Sequence, residues 1–136
     1  MKATDIIQSF PIARSIVHIA SAGSATLLQP PFVKAELARL DGRVLATFPI
    51  ATPADAHSDV WEMHPDADEV LFMLTGELGL EYSDGQRSRH ADLRTGEGVL
   101  VPRGAWHRLH FREPGLLLAL TATRGTVSSS TAGVQP

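Results

Sequence analysis

Glu62, His64 and Glu69 stand close together in the stretch "WEMHPDADE" (61–69). On a strand, residues two apart project from the same face, so Glu62 and His64 would point together with Cα atoms about 6.5–7 Å apart. That is a convenient bite for two ligands of one cation. Pro65 ends the ladder, "PDAD" carries the chain into the next run, and Glu69 can return beside the pair. A further acid or imidazole from another strand, such as His107, would complete a pocket. Imidazole and carboxylate together suit first-row divalent ions. Two carboxylates also neutralise the cation, whereas burying Glu62 and Glu69 side by side without one would force a proton onto one of them. A Glu-x-His pair also decorates ordinary solvated strands, and spacing alone leaves both readings open.

The other four histidines have plainer accounts. His57 lies in the polar loop "ADAHSD" and His90 in the charged run "RSRHADL". His18 belongs to a mixed N-terminal region. His110 has the strand parity opposite to His107, so the two cannot share a face. Trp61 and Trp106 each precede a candidate ligand, which sends them to the back of the sheet. Leu71, Met73, Leu109 and Phe111 share parity with Glu69 or His107, so an apolar cavity lining is expected from them, and no arginine within these strands has that parity. An apolar lining suits a small organic ligand.

The elements that would position these residues are short strands. "TDIIQSF" reads as a short helical stretch capped by Thr4 or Asp5 and stopped before Pro11, and "GSATLLQPP" as a connection. "FVKAELARL" and "RVLATFPI" flank Asp41-Gly42, a hairpin signal. "VWEMH" and "EVLFML" follow, then a turn at Thr75-Gly76, "ELGLEYS", and a turn at Asp84-Gly85. "RSRHADL", "VLVP", "WHRLHF" and, after Pro114-Gly115, "LLLALTAT" complete the series. Many short strands between Gly, Pro and Asp turns, with almost no helix, predict an all-β sandwich or barrel. The closing "GTVSSSTAGVQP" reads as a flexible tail. The expected organisation is an N-terminal segment (1–31) packed on the barrel or on a partner subunit, a β-barrel domain (32–123) and a tail (124–136).

Bulk properties narrow the function classes. The 136 residues suit one domain that buries roughly two-thirds of its unfolded surface. With 43% hydrophobic residues the chain has the composition of a folded globular protein. The net charge of −3 and the absence of a basic block argue against a nucleic-acid partner. There is no cysteine, which excludes disulfides, thiolate metal sites and cysteine nucleophiles. Asp5, Pro11, Arg14 and His18 interrupt every candidate signal-peptide core, and no run approaches the ~20 apolar residues that span a bilayer. A soluble cytoplasmic protein without membrane contact is the expectation.

The spacing of the whole region resembles the two signatures of the cupin superfamily. In the first, two metal-binding positions one residue apart precede a glutamate, six residues and a glycine. Here these are Glu62 and His64, then Glu69, "VLFMLT" and Gly76. In the second, a glycine, five residues, Pro-x-Gly, two residues and a histidine follow in order. Gly96, "EGVLV", Pro102-Arg103-Gly104, "AW" and His107 match it. The resemblance covers about residues 32–123. It implies a jelly-roll β-barrel, often a homodimer, with a metal (iron, manganese, nickel or zinc) in its mouth and His64, Glu69 and His107 as ligands.

Two departures stand out. Glu62 occupies the position where the family usually has histidine, and Phe111 replaces an asparagine that often ends the second signature. Glu62 is therefore either a fourth ligand, a free general base beside a two-His-one-carboxylate face, or, at a site that has lost its metal, the partner of an arginine. The expected function is a metal-dependent cupin enzyme on a small organic molecule, with dioxygenase chemistry or Lewis-acid isomerase, lyase or decarboxylase chemistry. A non-catalytic small-molecule binder or sensor is the competing class.

Overall fold

Two long strands carry the architecture of the computed structural model, which describes residues 7–83 and 85–131. In chain order the strands are β1 (Ile16–Ile19), β2 (Ala25–Leu27), β3 (Arg43–Ile50), β4 (Trp61–Met63) and β5 (Glu69–Ser83), followed by β6 (Ser88–Arg94), β7 (Gly98–Val101), β8 (Trp106–Ala122) and β9 (Val127–Ser129). One helical turn, α1 (Lys34–Leu37), and short 3-10 turns at Ile12–Arg14 and Pro53–Ala56 accompany them. All pairings are antiparallel. This is the all-β jelly roll expected from the sequence. No helix among the described residues is long and apolar enough to cross a membrane.

β8 is the spine. Its C-terminal half pairs with β3, from Arg43↔Ala122 to Ile50↔Gly115, and its N-terminal end meets β4 at Glu62↔His107. β5 runs along the other edge of β8, and β6 and β7 continue the sheet beyond β5. Strand alternation sends Leu71, Met73, Leu117 and Ala119 into the barrel beside Ile50 and Val101. Met73, Leu78 and Leu93 are the largest side chains fully shielded from solvent. Each contributes about 1.5–3 kcal/mol by leaving water.

Thr75-Gly76 and Pro114-Gly115, expected as turns, are instead irregularities inside the continuous strands β5 and β8. Leu116 pairs with Thr75 where the register shifts, and the two glycines face each other across the ladder. Gly76 has φ +85°, and a Cβ there would strike the Pro114 carbonyl. A Cβ on Gly115 would strike the Thr75 carbonyl. The turn-forming dipeptides thus make a paired bulge, which changes the inward parity of β5 from Leu71 and Met73 to Leu78 and Leu80.

Three further expectations are corrected. "FVKAELARL" is not a strand, and Asp41-Gly42 closes no hairpin with it; Lys34–Leu37 forms α1, because Lys, Ala, Glu and Leu favour helix once the β-branched Val33 is passed. "GSATLLQPP" contains β2, which pairs with β1 and ends before the prolines. The C-terminal segment is not wholly a loose tail: β9 pairs with β4 through Trp61↔Ser129 and Met63↔Val127. The helical stretch expected near the N-terminus has its caps, Thr4 and Asp5, outside the described residues, and residues 7–10 carry no regular structure. Asp84 of the Asp84-Gly85 turn also lies outside the described residues, while Ser83↔Ser88 closes the hairpin around it.

Candidate metal centre

The cluster is assembled from three strands and two loops. β4 presents Glu62 and leads directly into His64, β5 opens with Glu69, and β8 opens with Trp106 and His107. The loops between them are tied to each other. Gly104 N–H donates to the His64 carbonyl at 2.9 Å, and Arg103 N–H donates to Asp68 Oδ1 at 2.9 Å. The Pro-Arg-Gly turn before His107 is thereby fastened to the loop between His64 and Glu69. Asp68 acts as a turn residue that joins the two halves of the site.

Inside, His64 Nε2 lies 3.2 Å from Glu69 Oε2, and His107 Nε2 lies 3.2 Å from Glu69 Oε1. The two imidazole centroids are 5.4 Å apart. One ligand atom from each of Glu62, His64 and His107 falls within 4.8 Å of the others, a grouping able to hold a metal ion. His64, Glu69 and His107 are buried, whereas Glu62 is exposed. Among the described residues Glu62 has no arginine partner, so the ion-pair reading of this residue finds no counterpart in the geometry.

Both outer imidazole nitrogens are engaged. His107 Nδ1 is 3.1 Å from the Ala105 carbonyl, which can only accept, so Nδ1 carries a proton. Its Nε2 then carries a second proton toward Glu69, or none if a cation stands in its place. Burial opposes the charged ring, but the Glu69 carboxylate beside it and the Ala105 carbonyl prevail and raise its pKa. His64 Nδ1 meets Thr126 Oγ1 at 2.9 Å, just before β9. His64 Nε2 is buried and makes no hydrogen bond, although Glu69 Oε2 lies 3.2 Å away. For Glu69, burial pushes the carboxyl up, yet the two imidazoles and the Thr121 hydroxyl hold it at about 2. A buried, unpartnered nitrogen aimed at an ionised carboxylate and a second imidazole fits a divalent cation.

The cluster lines a cavity of about 590 Å³. Leu71 and Leu109 line it, as parity predicts, while Met73 and Phe111 belong to the core beneath it. Lys34 from α1 and Arg124 after β8 also line it, and so does Arg108. Strand parity could not reveal Lys34 or Arg124, since neither is on a strand. Arg108 points to the back of the sheet, donating to Glu81 Oε1 at 2.7 Å and covering the Trp61 ring at 4.5 Å. His110 joins the same carboxylate at 2.8 Å, and His90 approaches it to 4.0 Å. Burial again opposes ionisation of Glu81, but Arg108 and His110 hold its carboxyl at about 2. Of the remaining histidines, His57 lines the cavity in a left-handed conformation (φ 51°), and His18 donates to the Asp41 carbonyl at 2.7 Å. A second cleft, of about 630 Å³, lies beyond Arg124 with Arg43, Arg103, Asp41, Asp66 and Asp68 in its walls.

An antiparallel jelly roll in which two imidazoles and a carboxylate converge on a candidate metal site defines the class of small β-barrel to which the chain is compared. The family model described as "Cupin domain" matches residues 50–121, more than half of the chain, and the protein belongs to that family. The uncharacterized protein YdbB of Bacillus subtilis (strain 168) is 38% identical over 48 residues, which are 35% of this chain and 40% of that one. The chain thus spans well under two thirds of the length of this curated relative. Among solved structures, the WlaRB TDP-quinovose 3,4-ketoisomerase of Campylobacter jejuni superposes with a TM-score of 0.50 at 16% identity, covering 78% of each chain. A cupin-2 domain containing protein from Shewanella frigidimarina gives 0.47 at 19% identity, over 61% of this chain and 72% of that one. These likenesses concern the fold.

Proposed function

We propose that this cupin holds one divalent transition metal (iron, manganese, nickel or zinc) through His64, Glu69, His107 and Glu62, and uses it on a small organic molecule. The observation that carries this reading is His64 Nε2, buried and without a hydrogen bond, facing the Glu69 carboxylate that His107 also faces. When bound, such an ion supplies Lewis acidity toward a substrate oxygen and, if redox-active, electrons for dioxygenase chemistry.

The chain's own residues do the rest. Thr126 and the Ala105 carbonyl fix the two rings so that Nε2 faces inward. Leu71, Leu109 and Leu117 exclude water and hold the apolar part of the substrate. Glu62 is the exposed member of the set, within reach of both the cluster and a molecule in the cavity. In the alternative in which His64, Glu69 and His107 alone hold the ion, that position supports a general base, taking a proton from substrate in an isomerase, lyase or decarboxylase reaction. A homodimer is part of the proposal, supported by the apolar outer face that Phe72 (42% exposed) and Leu100 (73% exposed) leave on β5 and β7.

Elemental analysis of the purified and reconstituted protein tests the reading. About one transition-metal ion per chain is expected. No bound metal after reconstitution would leave a binding module without metal chemistry.

A further inference from the structure

Charge at the cavity mouth points to the class of molecule that enters. The ionisable residues lining the cavity include three cations, Lys34, Arg108 and Arg124, and three acids, Asp55, Glu62 and Glu69. They are not equally available. Arg108 is committed to Glu81. Asp55 Oδ2 accepts the Ala51 and Thr52 N–H groups and the Thr52 hydroxyl, as the cap of the 3-10 turn. Glu69 faces two imidazoles. What remains is Lys34 and Arg124 against Glu62. Both cations are exposed, and neither has a carboxylate partner among the described residues. They come from separate connections, α1 and the segment leading to β9, and both line this cavity, Arg124 also bordering the second cleft with Asp41, Asp66 and Asp68.

The same cavity carries a hydrocarbon stretch of wall: Phe48, Ile50, Leu71, Leu109 and Leu117. We infer that the substrate is a small carboxylic acid with an apolar body, its carboxylate held at the rim by Arg124 and Lys34. The inference rests on the metal reading in one respect: Glu62 held at the cluster leaves two cations uncompensated at the rim, so the acid preference should be stronger in the zinc form, whereas a free Glu62 leaves one. Arg124 supplies a planar pair of donors matched to a carboxylate, and Lys34 supplies a mobile point charge. An exposed carboxylate contact of this kind is screened by salt, so the preference should weaken as ionic strength rises.

Titration calorimetry of the full chain tests the inference with 3-phenylpropionate and hexanoate, each against its uncharged amide. The zinc-reconstituted and metal-free forms are compared for wild type, Arg124→Gln, Lys34→Gln and the double variant. Circular dichroism verifies that these exposed substitutions leave the fold intact. In the zinc form, the wild type should bind at least one acid about tenfold more tightly than its amide, a difference of about 1.4 kcal/mol. Each single variant should lower that ratio, and the double variant should bring it near one. An acid preference that persists undiminished in the double variant would assign it to the metal and overturn the rim proposal while leaving the metal reading intact. Acid preference lost with Lys34 and Arg124 in a protein that never takes up metal would overturn the metal reading and keep the rim. If no acid binds more tightly than its amide, the substrate class is wrong.

Discussion

Glu62 on β4 stands directly across the ladder from His107 on β8. The position where this chain departs from the usual cupin pattern is therefore paired, strand to strand, with one of the two imidazoles. A change at 62 acts on the cluster itself, and it separates the two roles open to the residue. Glu62→Gln keeps the shape and removes the charge. If Glu62 is a ligand, metal affinity should fall by about 10-fold or more. If it is a base, metal stays bound while turnover drops about 10²–10⁴-fold. Glu62→His should preserve or strengthen metal binding in either case and abolish proton abstraction by the carboxylate. Metal titration and steady-state kinetics on the same preparations distinguish these outcomes.

Thr126 supports His64 from outside the cluster. Thr126→Val keeps the volume and removes the oxygen that meets Nδ1. Metal affinity should drop roughly 10–100-fold, with little change in the far-UV spectrum. Unchanged affinity would mean that β4 alone orients the ring.

Metal uptake must compete with the proton that His107 holds more tightly than an ordinary imidazole. Binding should release protons, and apparent affinity should rise with pH above the ordinary histidine value of about 6.5. Metal at a hundred times its Kd should stabilise the fold by about 2.7 kcal/mol, raising Tm by on the order of 10 °C, and a chelator should reverse that. A Tm indifferent to metal at every pH would contradict the cluster as the site.

Glu81 offers a control on the back of the sheet. Its carboxyl is held at about 2, below the ordinary value, so its contribution is present above the unfolded pKa and is lost as pH falls from about 4.5 through 2. Glu81→Gln should lower stability at pH 7 by about 1.5–3 kcal/mol, because Arg108 and His110 lose a charged acceptor. The deficit should shrink as acid removes the same charge from wild type. Urea midpoints at pH 7 and pH 3 check the sign.

Gly76→Ala and Gly115→Ala should each cost about 3 kcal/mol or more, since either Cβ meets a carbonyl of the opposite strand. Gly96→Ala, at a φ of +84° but with open space around the Cβ, should cost less. Thermal denaturation of the three variants ranks them.

The outline of the fold was legible because strand parity and turn chemistry are local properties, while the convergence of Glu69 and His107 on Glu62 and His64 was legible only through the resemblance to the two cupin signatures. Glu62 and His64 share a face by spacing, and His107 falls on the inward parity of its own strand. Other features depend on partners that no local pattern names. Gly76 and Gly115 carry turn chemistry, and whether such a dipeptide ends a strand or bulges within it depends on what lies across the ladder. Val127 to Ser129 have no periodicity, yet β4 offers them an edge. Lys34 reaches the cavity from a single helical turn, and Arg124 from the end of β8, both outside the reach of a parity argument. Glu81 lies directly opposite Arg108 and His90, a register that only the pairing of β5 with β8 and β6 establishes.

The paired glycines also divide the barrel into two frames. On one side of them β5 turns its odd-numbered residues inward and delivers Glu69 to the cluster; on the other it turns Leu78 and Leu80 into the core. A one-residue insertion between Met73 and Leu78 would invert one frame against the other. The joint lets one continuous strand serve the cluster at one end and the packed core at the other.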